Sequence, residues 1–197
     1  RGTSSRQSTL RGAIEWSWEL LDEGERETLA QLAVLRGGFF LEMAEEVVNL
    51  DHLEDAPFVM DVVESLHDKS LLDSVELAKL GGERRFNMFE SIRAFALEQL
   101  HKQGRADATE QRWREALTEY AKQWHAKSSS DESRLRLQLE LEALSEIARG
   151  TGEVAGGDGH TACWAALIAG PMLQRLGSPN TAREILKQAA DRCDDPE

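Results

Sequence analysis

At 197 residues and 22.0 kDa, the chain is large enough for one sizeable domain or two small ones, each with a real core. A composition of 41% hydrophobic and 30% charged residues is globular rather than disordered, and a net charge of −13 disfavours non-specific binding to nucleic acid or anionic membranes. Two cysteines (Cys163, Cys193) without a secretory signal argue against a disulfide framework and for a reducing, cytoplasmic setting, and the longest apolar stretch, residues 162–173, is too short to span a bilayer.

The chain opens on Arg1 rather than Met and reads as a piece of a longer protein. Residues 1–6 belong to a polar, Ser/Thr-rich linker that runs into a first helix over roughly 9–21, with Leu10, Ile14, Trp16 and Trp18 as its apolar mass. Asp22 and Glu25 have capping-box spacing at the start of a second helix, which carries Leu29, Leu32 and Ala33 on one face. Gly37-Gly38 ends that helix, Phe39-Phe40 is a short strand, and further helices are expected near 41–50 and 56–69, the latter striped by Val59, Val62, Val63 and Leu66. The period then changes: Leu71 to Leu77, a Gly81-Gly82 turn and Arg84 to Met88 read as a hairpin. Helices followed by a two-stranded hairpin outline a winged helix.

Beyond residue 90 the pattern is helical again. Ile92, Phe95, Ala96 and Leu100 share a face, Gly104 breaks the chain, and Trp113, Ala116, Leu117, Tyr120, Ala121 and Trp124 form the best amphipathic stripe in the sequence. The Ser128–Ser130 run interrupts it, with Ser130 or Asp131 as the next cap. Leu135, Leu137, Leu139 and Leu141 alternate like a strand, but Leu137, Leu141, Leu144 and Ala148 also fit a single helix of almost twenty residues, which is the expectation retained. Residues 150–159 form a Gly-rich loop before two final helices, the last opened by Ser178-Pro179. The fold class is therefore mainly α: a winged-helix domain over 7–103, then a helical domain over 104–197.

In the last forty residues, Gly170, Ala182, Leu186 and Ala189 have the spacing of the small and apolar positions of a tetratricopeptide repeat, which this stretch resembles. The blocks STLRGAIEWSWELLDEGERETLAQLAVLRGGFFLEMAEEV, VVESLHDKSLL and RRFNMFESIRAFALEQL, in that order, resemble the segment that follows the nucleotide-binding module of bacterial signal-transduction ATPases with numerous domains, the STAND class, over residues 6–126. This class includes multidomain transcriptional regulators. The resemblance implies a winged helix followed by a helical sensor array. ATP or ADP is expected on an absent upstream module, with no cofactor in this segment. Relatives of the class carry a Met-His-Asp triplet whose histidine reaches the phosphates of ADP. The corresponding residues here are Met88, Phe89 and Glu90, and Phe has no donor for a phosphate oxygen. Met88, Phe89 and Ile92 are expected to be buried core at the strand–helix junction, a corner that faces the ATPase module.

No active-site constellation is present. The sequence lacks G-x-x-x-x-G-K-[ST], G-x-S-x-G and H-E-x-x-H, and the His160/Cys163 pair has no second pair to complete a zinc site. A DNA reader needs basic groups on its recognition helix and wing, yet residues 1–100 hold 10 basic and 20 acidic residues. Arg84 and Arg85 are the only local basic pair. The favoured reading is a non-catalytic regulatory segment. It couples the nucleotide state of the upstream module to a helical array that binds a protein partner or a small ligand. The alternative is a sequence-specific DNA-binding regulator.

Overall fold

A computed structural model describes residues 3–127, 130–150 and 159–193. The chain divides into two compact units, Arg1–Thr109 and Glu110–Glu197.

The first unit is a winged helix. It runs α1 (Thr3–Glu19), α2 (Glu23–Leu32), β1 (Phe39–Phe40), α3 (Leu41–Val47), α4 (Val59–Asp68), β2 (Asp73–Leu77), a 3-10 turn (Ala78–Leu80), β3 (Glu83–Asn87) and α5 (Glu90–Lys102). The first helix starts at Thr3, so the expected linker over 1–6 is already helical from that residue. The capping box forms as its spacing predicts: Asp22 Oδ1 accepts from the Glu25 N–H at 2.8 Å, and Glu25 Oε2 accepts from the Asp22 N–H at 3.0 Å. Glu25 also accepts from Ser65 Oγ at 2.6 Å and pairs with Lys69, tying the start of α2 to the end of α4.

The sheet is antiparallel, in the order β1-β3-β2, so β3 is central. Phe39 pairs with Phe86 and Phe40 with Arg85, while Ser74 and Val75 meet the same two residues from the other side. Phe39 and Phe86 stack at 5.9 Å, and with Phe40 they are among the largest fully buried side chains. Val62, Val63 and Leu66 of α4 complete this core, as does the expected stripe Ile92, Phe95, Ala96 and Leu100 of α5. Gly38 has φ +88, and a Cβ there would meet the Phe86 carbonyl oxygen at 2.9 Å, so the approach of β1 to β3 requires glycine. The Gln31 side chain donates to and accepts from the Asn49 backbone, both at 2.9 Å, satisfying a segment that has no ladder partner of its own.

The second helical region consists of α6 (Ala106–Ala126), whose first residues lie in the first unit, then α7 (Asp131–Leu139), α8 (Leu141–Arg149), α9 (Gly159–Arg175) and α10 (Pro179–Cys193). The single helix expected from Asp131 onward is two helices. Glu140, with φ −97 and ψ 3, leaves the helical region between them, and this kink lets Leu137, Leu144, Ile147 and Ala148 all be buried. Ser130 is the N-cap of α7 and accepts from the Ser133 N–H at 3.0 Å. The helices α9 and α10 are packed closely: a Cβ on Gly170 would lie 3.2 Å from Leu186, and Ala182, Ile185 and Ala189 are buried. Cys163 is disulfide-bonded, against the expectation that the two cysteines form no disulfide framework. The Ser128-Ser129 interruption and the Gly-rich loop over 151–158 lie outside the described residues.

Candidate functional site

Two faces of the winged helix are candidates, the recognition helix with its wing and the corner where β3 enters α5.

On the first face, α4 carries no Lys or Arg. Phe58, just before the helix, is 80% exposed; Met60 of α4 and Val75 of β2 are exposed apolar groups, and Asp61 and Asp68 of α4 are exposed acids. Of the basic pair singled out in the sequence, Arg85 is buried and Arg84 is half-exposed with its charge paired. Arg84 pairs with Glu64 of α4 and lies over the Phe86 ring at 5.1 Å. Arg85 is 5% exposed; its Nη2 donates to the carbonyls of Gly37 (3.1 Å) and Gly38 (2.9 Å), and its guanidinium lies 5.0 Å over the Phe40 ring. Arg85 is held by the chain that leads into β1, whose glycine carbonyls and Phe40 ring surround its guanidinium, whereas Arg84 remains half-exposed in its pair with Glu64. Lys79, exposed at the hairpin tip, follows Glu76 and precedes Glu83 in sequence. A phosphate backbone would meet carboxylates and apolar rings here, with little cationic surface to neutralise it.

At the second face, the expectation of a buried Phe89 is overturned. Ile92 is buried and Met88 half-buried, but Phe89 is 58% exposed. Its backbone is the N-cap of α5 (φ −60, ψ 140), so its side chain leaves the helix axis rather than continuing the Met88, Ile92, Phe95 stripe. Phe has no oxygen to accept from the first turn, and no side-chain cap forms. Phe89 stands at the rim of a recess of about 350 Å³ that also involves Gly37, Gly38, Asn87, Glu90 and Arg93. Arg93 holds Glu90 through two hydrogen bonds, Nη2 to Oε1 at 2.7 Å and Nε to Oε2 at 3.1 Å. Those bonds, with the nearby Arg36 charge adding to them against a smaller opposing effect of burial, keep the Glu90 carboxyl below its ordinary pKa. The corner therefore offers an exposed aromatic ring beside a partly solvated ion pair. The sequence does not single out Arg93, the Gly37-Gly38 wall or the exposed Phe58. An apolar N-cap is no signal by itself, because Phe58 and Phe89 are exposed at that position while Phe40, the N-cap of α3, is fully buried.

Among the described residues, no cluster of His, Cys, Asp and Glu could hold a metal ion, and no helix is long and apolar enough to cross a membrane. His160 Nε2 accepts from Trp164 Nε1 at 3.2 Å.

Residues 21–101 match the model of the family described as a winged helix-turn-helix domain. Over 143 residues the chain is 36% identical to proteins provisionally named HTH-type transcriptional regulators from Mycobacterium bovis and Mycobacterium tuberculosis, an alignment covering 72% of this chain and 16% of each relative. An uncharacterised M. tuberculosis protein is 33% identical over 111 residues, covering 56% of this chain and 28% of that protein. The chain thus spans about a sixth of the first relatives' length. No solved structure matches. The chain contains a winged helix-turn-helix domain homologous to part of these regulators.

Proposed function

We propose that this chain is a non-catalytic regulatory segment of a STAND-type signalling protein or transcriptional regulator. In this reading its winged helix docks on an upstream nucleotide-binding module through the β3–α5 corner, and its second unit begins a TPR-like array. The observation that carries the reading is Phe89, an exposed aromatic at the position where the resembling class places its nucleotide-sensing histidine. A Phe makes van der Waals contact with a protein surface but no phosphate hydrogen bond, so nucleotide state is transmitted here by domain docking. The homology to regulators and the close α9–α10 pairing around Gly170 support the same assignment. Lacking a P-loop, the chain alone neither hydrolyses ATP nor holds nucleotide tightly.

The test is a calorimetric titration of this chain with a separately produced upstream module, in ADP and in ATP. Nucleotide-dependent binding is expected, weakened about tenfold or more by Phe89→Asp and unchanged by Arg84→Ala. Binding that ignores the nucleotide, or that is lost only with Arg84, overturns the reading.

A second reading, a sequence-specific DNA-binding regulator, is favoured by the domain match and by the relatives' names. It requires a sequence-dependent mobility shift at physiological salt that Arg84→Ala abolishes. The pairing of Arg84 with Glu64 and the acidity of α4 predict weak, non-specific binding instead.

A further inference from the structure

We propose that the second unit holds a binding site for a small apolar carboxylate, in the cavity bordered by the end of α6, by α7 and by the C-terminal half of α9. The inference deepens the reading of that unit as a sensor by naming its ligand class, and rests on that reading only for its regulatory meaning.

The cavity measures about 200 Å³. Its apolar lining comes from Leu137 and Ile168, both buried, together with Met172 and Leu176. Ile168, Met172 and Arg175 recur at i, i+4 and i+7, so one stripe of α9 runs from the apolar floor to a guanidinium. Arg134 precedes Leu137 by three positions on α7 and sets a second guanidinium beside the same cavity, with His125 contributed by α6. Among the described residues no acidic side chain lines it, although the chain has 36 acids against 23 Lys and Arg.

The cations are available. Arg175 has a 3.3 Å hydrogen bond to the Pro171 carbonyl and no carboxylate partner among the described residues. Arg134 pairs with Asp131 at 3.2 Å, but the Asp131 side chain is 99% exposed, so that pair is screened by water and leaves other guanidinium donors unused. An apolar body with one carboxylate satisfies both halves of the site: the guanidinium fork takes the two oxygens while the body displaces water from the floor. Size selects a small ligand. A cavity of about 150 Å³ accommodates benzene, so this one takes a ring with a short chain, and a nucleotide is too large and too polar.

The test is an NMR titration of the 197-residue chain with hydrocinnamate and with its neutral amide, hydrocinnamide. Hydrocinnamate should give saturable shifts at Leu137, Ile168 and Met172, with the amide about tenfold weaker or more. Arg175→Gln, a substitution at an exposed site, should reduce hydrocinnamate to the level of the amide and leave the amide unchanged. Equal binding of acid and amide would mark the cavity as a packing surface for another helix and overturn the proposal. Shifts that map elsewhere, or no saturation while the chain stays folded, would do the same. The corner titration reads a different surface, so either proposal can fail alone.

Discussion

Phe86 and Phe89 lie three residues apart at the end of one strand, and their surroundings are opposite. Phe86 sits in the central strand, stacked on Phe39, met at its edge by His67 (6.2 Å) and covered by Arg84, with 2% of its surface exposed. Phe89 lies past the last rung of the ladder, at the N-cap of α5, with most of its ring in solvent. The arginines show the complementary pattern. Arg84 and Arg85, the only local basic pair and hence the sole candidates there for a DNA contact, are engaged by Glu64, by glycine carbonyls and by aromatic faces. Within this winged helix the basic pair is part of the structure, and an aromatic ring is what reaches outward. Residue type alone does not assign a role; position relative to the central strand does.

The largest effect should come from Phe86→Ala, which removes a fully buried ring and leaves a cavity; a loss of about 3–5 kcal/mol in urea denaturation is expected. The same change at Phe89 should cost under about 0.5 kcal/mol, the range of surface substitutions. Similar losses at the two sites would erase the contrast. Next is Arg85→Met, which leaves two glycine carbonyls without their donor and should cost about 2 kcal/mol. Arg84→Ala is expected to cost under about 1 kcal/mol, because its pair with Glu64 is partly solvated.

Glu25 sharpens the comparison from the α2–α4 side, since it holds the recognition helix by its C-terminal end. Burial pushes its carboxyl pKa up, but hydrogen bonds from Lys69, Ser65 and the Asp22 N–H outweigh that and leave it below the ordinary value. A depressed folded pKa stabilises above the ordinary glutamate range, and the contribution is lost as pH falls through the folded value. Glu25→Gln should therefore cost about 1–2 kcal/mol at neutral pH, and stability curves of variant and parent should converge as pH falls below the ordinary glutamate range and through the depressed folded value. A difference independent of pH would contradict this assignment.

Much of the fold was legible because it depends on local chemistry. The capping box at Asp22 and Glu25, the Gly37-Gly38 stop, the Phe39-Phe40 strand, the hairpin and the break at Gly104 follow from caps, positive φ and period. Two errors share a cause. The kink at Glu140 and the exposure of Phe89 each depend on where a helix stops or starts, and apolar periodicity runs through such a boundary without marking it. The burial of Arg85 depends on strand order: only once β1 pairs with β3 do the Gly37 and Gly38 carbonyls and the Phe40 ring reach its guanidinium, and a pairing between residues 40 and 85 leaves no local signal. For the same reason the cavity in the second unit was invisible in sequence, since its lining comes from three helices.

The most direct test is hydrogen exchange over residues 87–93 in a protein that joins this chain to the proposed upstream nucleotide-binding module, compared between ADP and ATP, with and without Phe89→Asp. The account predicts protection of this segment in one nucleotide state, loss of that protection in the variant, and no change along α4. Exchange at 87–93 that ignores both nucleotide and variant, with protection appearing on α4 when duplex DNA is added, would contradict it.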